Sequence, residues 1–128
     1  MMILLRCTIF VATGGAIGAV ARYWMAEFVH LFFERGFPLG TMVVNVIGSF
    51  LMGFLAILLI QKFPHNVEMR SFFLIGMLGA YTTFSTFALD TFNLFAQGKL
   101  GFAIFNMVLS VILCVIAAGL GVYLGVRY

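Results

Sequence analysis

Apolar residues fill four long runs of this chain, 7 to 21, 39 to 60, 71 to 89 and 100 to 126, and none contains Asp, Glu, Lys or Arg. The first run continues past Arg22 and the third past Asp90. A helix needs about 20 apolar residues to cross a bilayer, so the pattern predicts spans at about 4–28, 39–60, 71–96 and 100–126. Polar and turn-forming residues separate them: Glu34-Arg35-Gly36 with Pro38, Gln61-Lys62-Phe63-Pro64-His65, and Gln97-Gly98-Lys99. These breaks are too short for a soluble insertion, and the prediction is one membrane domain over residues 1–128. A cleavable leader fits poorly at the N-terminus. The apolar run passes Gly14-Gly15 and reaches Tyr23-Trp24, an aromatic pair suited to a membrane interface.

Composition sharpens this picture. The 128 residues are 64% hydrophobic and hold 7 Lys/Arg and 4 Asp/Glu, 9% charged against roughly 25% in a soluble domain. Such a chain cannot coat a surface in water, and its solvent is membrane lipid. The net charge of +3 is carried by scattered single residues, which excludes the clustered basic footprint of a nucleic-acid partner. Cys7 and Cys114 lie far apart without metal or redox spacing and read as small hydrophobes. No internal repeat is present.

An even number of spans places the N-terminus, the second loop and the C-terminus on one side. That side has Arg6, Lys62, Arg70 and Arg127; the other has Arg22, Arg35 and Lys99. Four against three leaves little bias, so the chain is expected to insert both ways up and pair as an antiparallel homodimer. The competing expectation is that a small bias orients every copy. Gly14 with Gly18 and Gly121 with Gly125 form GxxxG pairs, which favour generic close packing over a dedicated dimer seam.

Polar residues inside the runs are the candidate chemistry. Tyr81-Thr82-Thr83-Phe84-Ser85-Thr86-Phe87 places hydroxyls near mid-span after Gly76 and Gly79, which favours local unwinding. The alternative is a continuous helix whose hydroxyls bond the preceding turn. Asn45 follows Thr41 by four residues, and Ser110 follows Asn106 by four, so each pair shares a helix face. Together they make a polar track. Glu27 and Asp90 lie away from the span centres, which argues against carboxylate-coupled transport. Neutral donors and the positive ring edges of Phe84 and Phe87 suit a small, strongly hydrated anion.

These residues resemble the Fluc (CrcB) family of fluoride channels. The likeness is carried by Gly14-Gly15-Ala16-Ile17-Gly18-Ala19 with Arg22, by Gly40-Thr41 to Asn45 and Gly48, by Gly79-Ala80-Tyr81-Thr82-Thr83-Phe84-Ser85-Thr86-Phe87, and by Ser110 with Gly119-Leu120-Gly121. The resemblance implies a four-span, all-α subunit with a broken third helix, an antiparallel dual-topology homodimer, and two fluoride pores. It also implies pore roles for Phe84, Phe87 and Asn45, extended by Ser110, Thr41, Ser85 and Thr86, with Arg22 near a vestibule. A structural Na⁺ at the dimer interface, on the Gly79 and Thr82 carbonyls, is a further implication. The family often has a tyrosine where this chain has Asn106, so a pore place for Asn106 is an expectation from its polarity.

The implied activity is passive fluoride export across a bacterial plasma (inner) membrane by a multi-pass channel, not an enzyme. A small multidrug-resistance-type proton-coupled exporter shares the length and span number, but it needs a central carboxylate in the first span, which has none. An assembly subunit without transport is a third reading.

Overall fold

The computed structural model describes residues 1–128 and is all-helical. Helix α1 is Met2–Phe32 and α2 is Leu39–Lys62. The third span comprises α3, residues 67–81, and α4, Phe84–Ala96; α5 is Leu100–Arg127. Four helical segments, Met2–Phe32, Leu39–Lys62, Val67–Ala96 and Leu100–Arg127, are long and apolar enough to cross a membrane. Local sequence sets their ends. Asn66 starts α3 by accepting the Met69 N–H on Oδ1 at 2.9 Å, upstream of the apolar run. At the end of α4, Gly98 takes φ +75°, a conformation that side-chain-bearing residues rarely adopt, and turns the chain into α5.

Within α3, residues Ser71–Leu78 are π-helical. This stretch lies against α1, while α2 and α5 form the broadest helix contact. Both contacts rest on bare backbone. A Cβ on Gly18 would strike the Met77 carbonyl oxygen, and one on Gly14 would strike that of Phe72. On the other seam, a Cβ on Gly121 would strike the Phe50 carbonyl oxygen and one on Gly53 that of Ala118. Both GxxxG pairs are therefore spent inside one chain. Lipid supplies no hydrophobic force to hold apolar helices together, so close van der Waals approach must do so.

The core is thin, with 22 of 128 residues buried, and Phe84, Val115 and Trp24 are among many large apolar side chains left outside. In water this surface would be untenable. Buried polar groups hold an unusual share of the interior: Ser71, Thr83, Thr91, Asn106 and Ser110 stand beside Val44, Leu78 and Ala103.

Replacing Gly121 by Val is expected to force α2 and α5 apart and to destabilise the protein by about 1–3 kcal/mol. Gly101→Ala, which meets open space, should be neutral. Thermal unfolding in detergent, followed by size-exclusion chromatography, separates the two outcomes.

Candidate functional site

Helix α3 stops at Tyr81 and helix α4 starts at Phe84. Between them Thr82 (φ −79°, ψ 153°) and Thr83 (φ −149°, ψ 113°) are extended. Extended backbone at membrane depth has polar groups that hydrocarbon cannot serve, at several kcal/mol for each one left bare. Asn45 on α2 solves this for Thr83. Its Oδ1 accepts the Thr83 N–H at 2.8 Å, and its Nδ2 donates to the Thr83 carbonyl at 3.0 Å. A carboxamide is the side chain that can match a peptide unit in this way, with one donor and one acceptor side by side.

Thr83 is also the N-cap of α4, its Oγ1 accepting the Thr86 N–H at 3.2 Å. The same hydroxyl donates to Thr86 Oγ1 at 3.0 Å, and Thr82 Oγ1 donates back to the Leu78 carbonyl at 3.0 Å. The break redirects two main-chain donors. In an unbroken helix the Thr83 N–H would serve the Gly79 carbonyl, and the Thr86 N–H would serve that of Thr82. Here those amides donate to Asn45 and to Thr83 Oγ1.

Below the clasp lies a cavity of about 240 Å³ lined by Asn45, Ser49, Thr82, Thr83, Phe84, Phe87, Ser110, Val111 and Cys114. The Phe84 and Phe87 rings stand 5.4 Å apart at 46°, and Phe84 is 78% exposed, projecting past its own chain. No carboxylate or cation lines this cavity, so its polarity is that of neutral amide, hydroxyl and thiol groups. Asn45, Phe84, Phe87 and Ser110 are thus brought together. Ser49 and Cys114 join them and were not singled out by sequence. Ser49 lies four residues after Asn45 on one face of α2, a spacing that could have found it. Cys114 likewise lies four after Ser110.

Other candidates lie elsewhere. Thr41 donates to Asp90 Oδ2 at 2.8 Å, which ties the start of α2 to α4 and gives Asp90 a partner that its spacing did not suggest. Ser85 and Thr86 are exposed and outside the cavity. Asn106 is 2% exposed, sits behind Ser110, and accepts its hydroxyl on Oδ1 at 3.2 Å. Arg22 lines a second hollow of about 250 Å³ with Thr41, Thr83 and Thr86 among its walls. Thr83 therefore faces both hollows. Arg22 has no acidic partner, the chain's ion pair being Arg35 with Glu27 at 2.7 Å. Gly79 is exposed, while Thr82 contributes to the cavity wall.

Comparison with known proteins bears on this arrangement. Residues 9–122 match the family described as CrcB-like protein, Camphor Resistance (CrcB). A protein of Methylococcus capsulatus named Fluoride-specific ion channel FluC is 50% identical over 117 residues, which cover 91% of this chain and 51% of that protein. The chain thus spans about half the length of that relative. Proteins with the same name from Magnetococcus marinus and Coxiella burnetii are 49% and 45% identical; the matches cover 91% and 88% of this chain and 94% and 91% of theirs. A match over residues 9–122, with relatives near half identity along most of their own length, shows that this chain belongs to the CrcB family.

Proposed function

We propose that this chain forms a fluoride-selective ion channel that exports cytoplasmic fluoride across a bacterial plasma (inner) membrane. The observation that carries the reading is the cavity: a carboxamide, hydroxyls and two phenylalanine rings around a space without a carboxylate. Fluoride is small and strongly hydrated. Amide N–H donors and ring edges can replace its water shell while giving cations little to bind. One Asn45 N–H is held by Thr83, and a carboxamide carries two, so the other remains for an ion. The proton-coupled exporter is disfavoured by the same wall, which has no group to carry a coupling proton.

The working unit is an antiparallel dual-topology homodimer with two pores. The near-even split of positive charge supports two-way insertion. Phe84 projects beyond its own chain and the cavity is open rather than enclosed, which supports a second copy as its missing wall. In this reading the break at Thr82 and Thr83 is functional: it points α4 and its two phenylalanines at the ion path. Fluoride enters cells from acidic media as neutral HF and is trapped as the anion. An inside-negative potential then favours its exit by about 2.3 kcal/mol per 100 mV, so no energy input is needed.

The donor set fits a buried sodium ion. The break withdraws the usual amide partners of the Gly79 and Thr82 carbonyls, and Gly79 lies exposed where a second copy would meet it. Those carbonyls would hold Na⁺, which would supply positive charge that binds two interrupted helices together. Asn45 and Thr83 hold the backbone that presents them.

Purified protein in liposomes is expected to release fluoride and retain chloride; absence of fluoride efflux overturns the reading. Asn45→Asp keeps the acceptor for the Thr83 N–H but loses both donors and adds negative charge. It should slow fluoride efflux by more than about tenfold. Phe84→Ile removes a ring edge and should depress efflux in the same assay, whereas wild-type rates in both variants would take these residues out of the pore. In cells, a C-terminal reporter should register on both faces of the membrane, and a signal from one face alone rules out dual topology.

A further inference from the structure

A chain of three hydrogen bonds runs behind the cavity wall. Ser110 Oγ donates to Asn106 Oδ1 at 3.2 Å, Asn106 Nδ2 donates to Thr91 Oγ1 at 2.9 Å, and Thr91 Oγ1 donates to the Phe87 carbonyl at 2.8 Å. Its two ends, Ser110 and Phe87, line the cavity. Its middle does not: Asn106 is 2% exposed and Thr91 is 5% exposed. A hydroxyl has one proton to give. With that proton on Asn106, Ser110 offers only lone pairs to the cavity, and lone pairs repel an anion.

The same heavy atoms support the opposite direction. Half a turn of the Asn106 carboxamide places Nδ2 against Ser110 Oγ and Oδ1 against Thr91 Oγ1, both within ordinary hydrogen-bond distance. Thr91 then donates to Asn106, Asn106 donates to Ser110, and the Ser110 proton is free to point at an ion. The bond count is preserved, because the bond to the ion replaces the one given up at the Phe87 carbonyl. That carbonyl lies inside α4, where main-chain bonding also serves it. Without an ion the first direction holds one more bond, worth about 0.5–1.5 kcal/mol, and an anion that accepts the Ser110 proton restores the count and favours the second.

We propose that Asn106 is a positioning residue whose carboxamide turns over when fluoride enters the cavity, so that Ser110 donates to the ion. The proposal rests on the fluoride-channel reading above. It assigns Asn106 a role without contact with the ion, and Thr91 a role as the last hydroxyl of the relay.

The test follows the Asn106 side-chain nitrogen by solid-state NMR in asparagine-labelled protein in bilayers, titrated with sodium fluoride or sodium chloride. The Asn106 Nδ2 resonance, assigned by its loss in Asn106→Leu, should move with fluoride, stay fixed with chloride, and stop responding in Ser110→Ala. In liposomes, Ser110→Ala should slow fluoride efflux about fivefold, the equivalent of one ordinary hydrogen bond, and Asn106→Leu, which leaves the Ser110 hydroxyl to bond the main-chain carbonyl four residues back instead of the ion, should slow it by a similar factor. The double variant should be no slower than Ser110→Ala alone. If Asn106→Leu does not assemble, Thr91→Val takes two bonds from the first direction and one from the second; it should move the Asn106 resonance toward its fluoride-bound position, which assigns it, and leave efflux no slower than wild type. A resonance indifferent to fluoride, or efflux losses that multiply in the double variant, overturns the proposal. Wild-type efflux with a fixed resonance removes the relay and leaves the channel; a moving resonance without efflux removes the channel and leaves the relay.

Discussion

The structure depends on one constraint: at membrane depth every peptide N–H and C=O needs a partner, and Thr83 finds both of its partners in one side chain, Asn45. Without that clasp, the Thr83 N–H and carbonyl would face hydrocarbon bare, while the Thr82 N–H keeps the Leu78 carbonyl at 3.0 Å. With it, the chain can stop one helix at Tyr81, start another at Phe84, and change the direction in which side chains project. The position of Phe84, the cavity beneath the clasp, and the withdrawal of amides from the Gly79 and Thr82 carbonyls all follow from this substitution of a side-chain amide for a turn of helix.

Close backbone approach supplies the rigidity that such a clasp requires. Gly18 against Met77 fixes α1 on the π-helical stretch, and Gly121 against Phe50 fixes α5 on α2. Asn45 is borne by α2 and Ser110 by α5, so the second seam sets the width of the cavity between them. The clasp lies on a third joint, α2 against the third span, where a Cβ on Gly48 would strike the Thr82 side chain.

The polar groups of this interior are committed with economy. Thr82 and Thr91 donate to their own helix, Thr83 caps one, Thr41 holds Asp90, and Asn106 holds Ser110. In the proposed anion path, made of neutral groups, a hydroxyl proton given to a neighbour is withheld from the ion, and which neighbour holds it would decide whether a wall attracts or repels. Scarcity of charge in the spans makes these orientations matter, because no cation lines the cavity to dominate them.

Residue type and order were enough to establish the solvent, the four apolar segments and the residues that lipid could not tolerate alone. Each of these is a property of residue type and spacing, so Asn45, Phe84, Phe87 and Ser110 were legible as candidates from depth and helical face. Their partners emerge from the packing of the helices. Asn45 meets Thr83 across 38 residues, Thr41 meets Asp90 across 49, and Asn106 meets Thr91 across 15. Periodicity places a side chain on a face of its own helix; which neighbouring helix that face meets, and at what height, is set by where glycines let backbones touch. For the same reason Asn106, polar and well spaced from Ser110, could be read as pore lining from the sequence, while packing puts it one residue behind the wall.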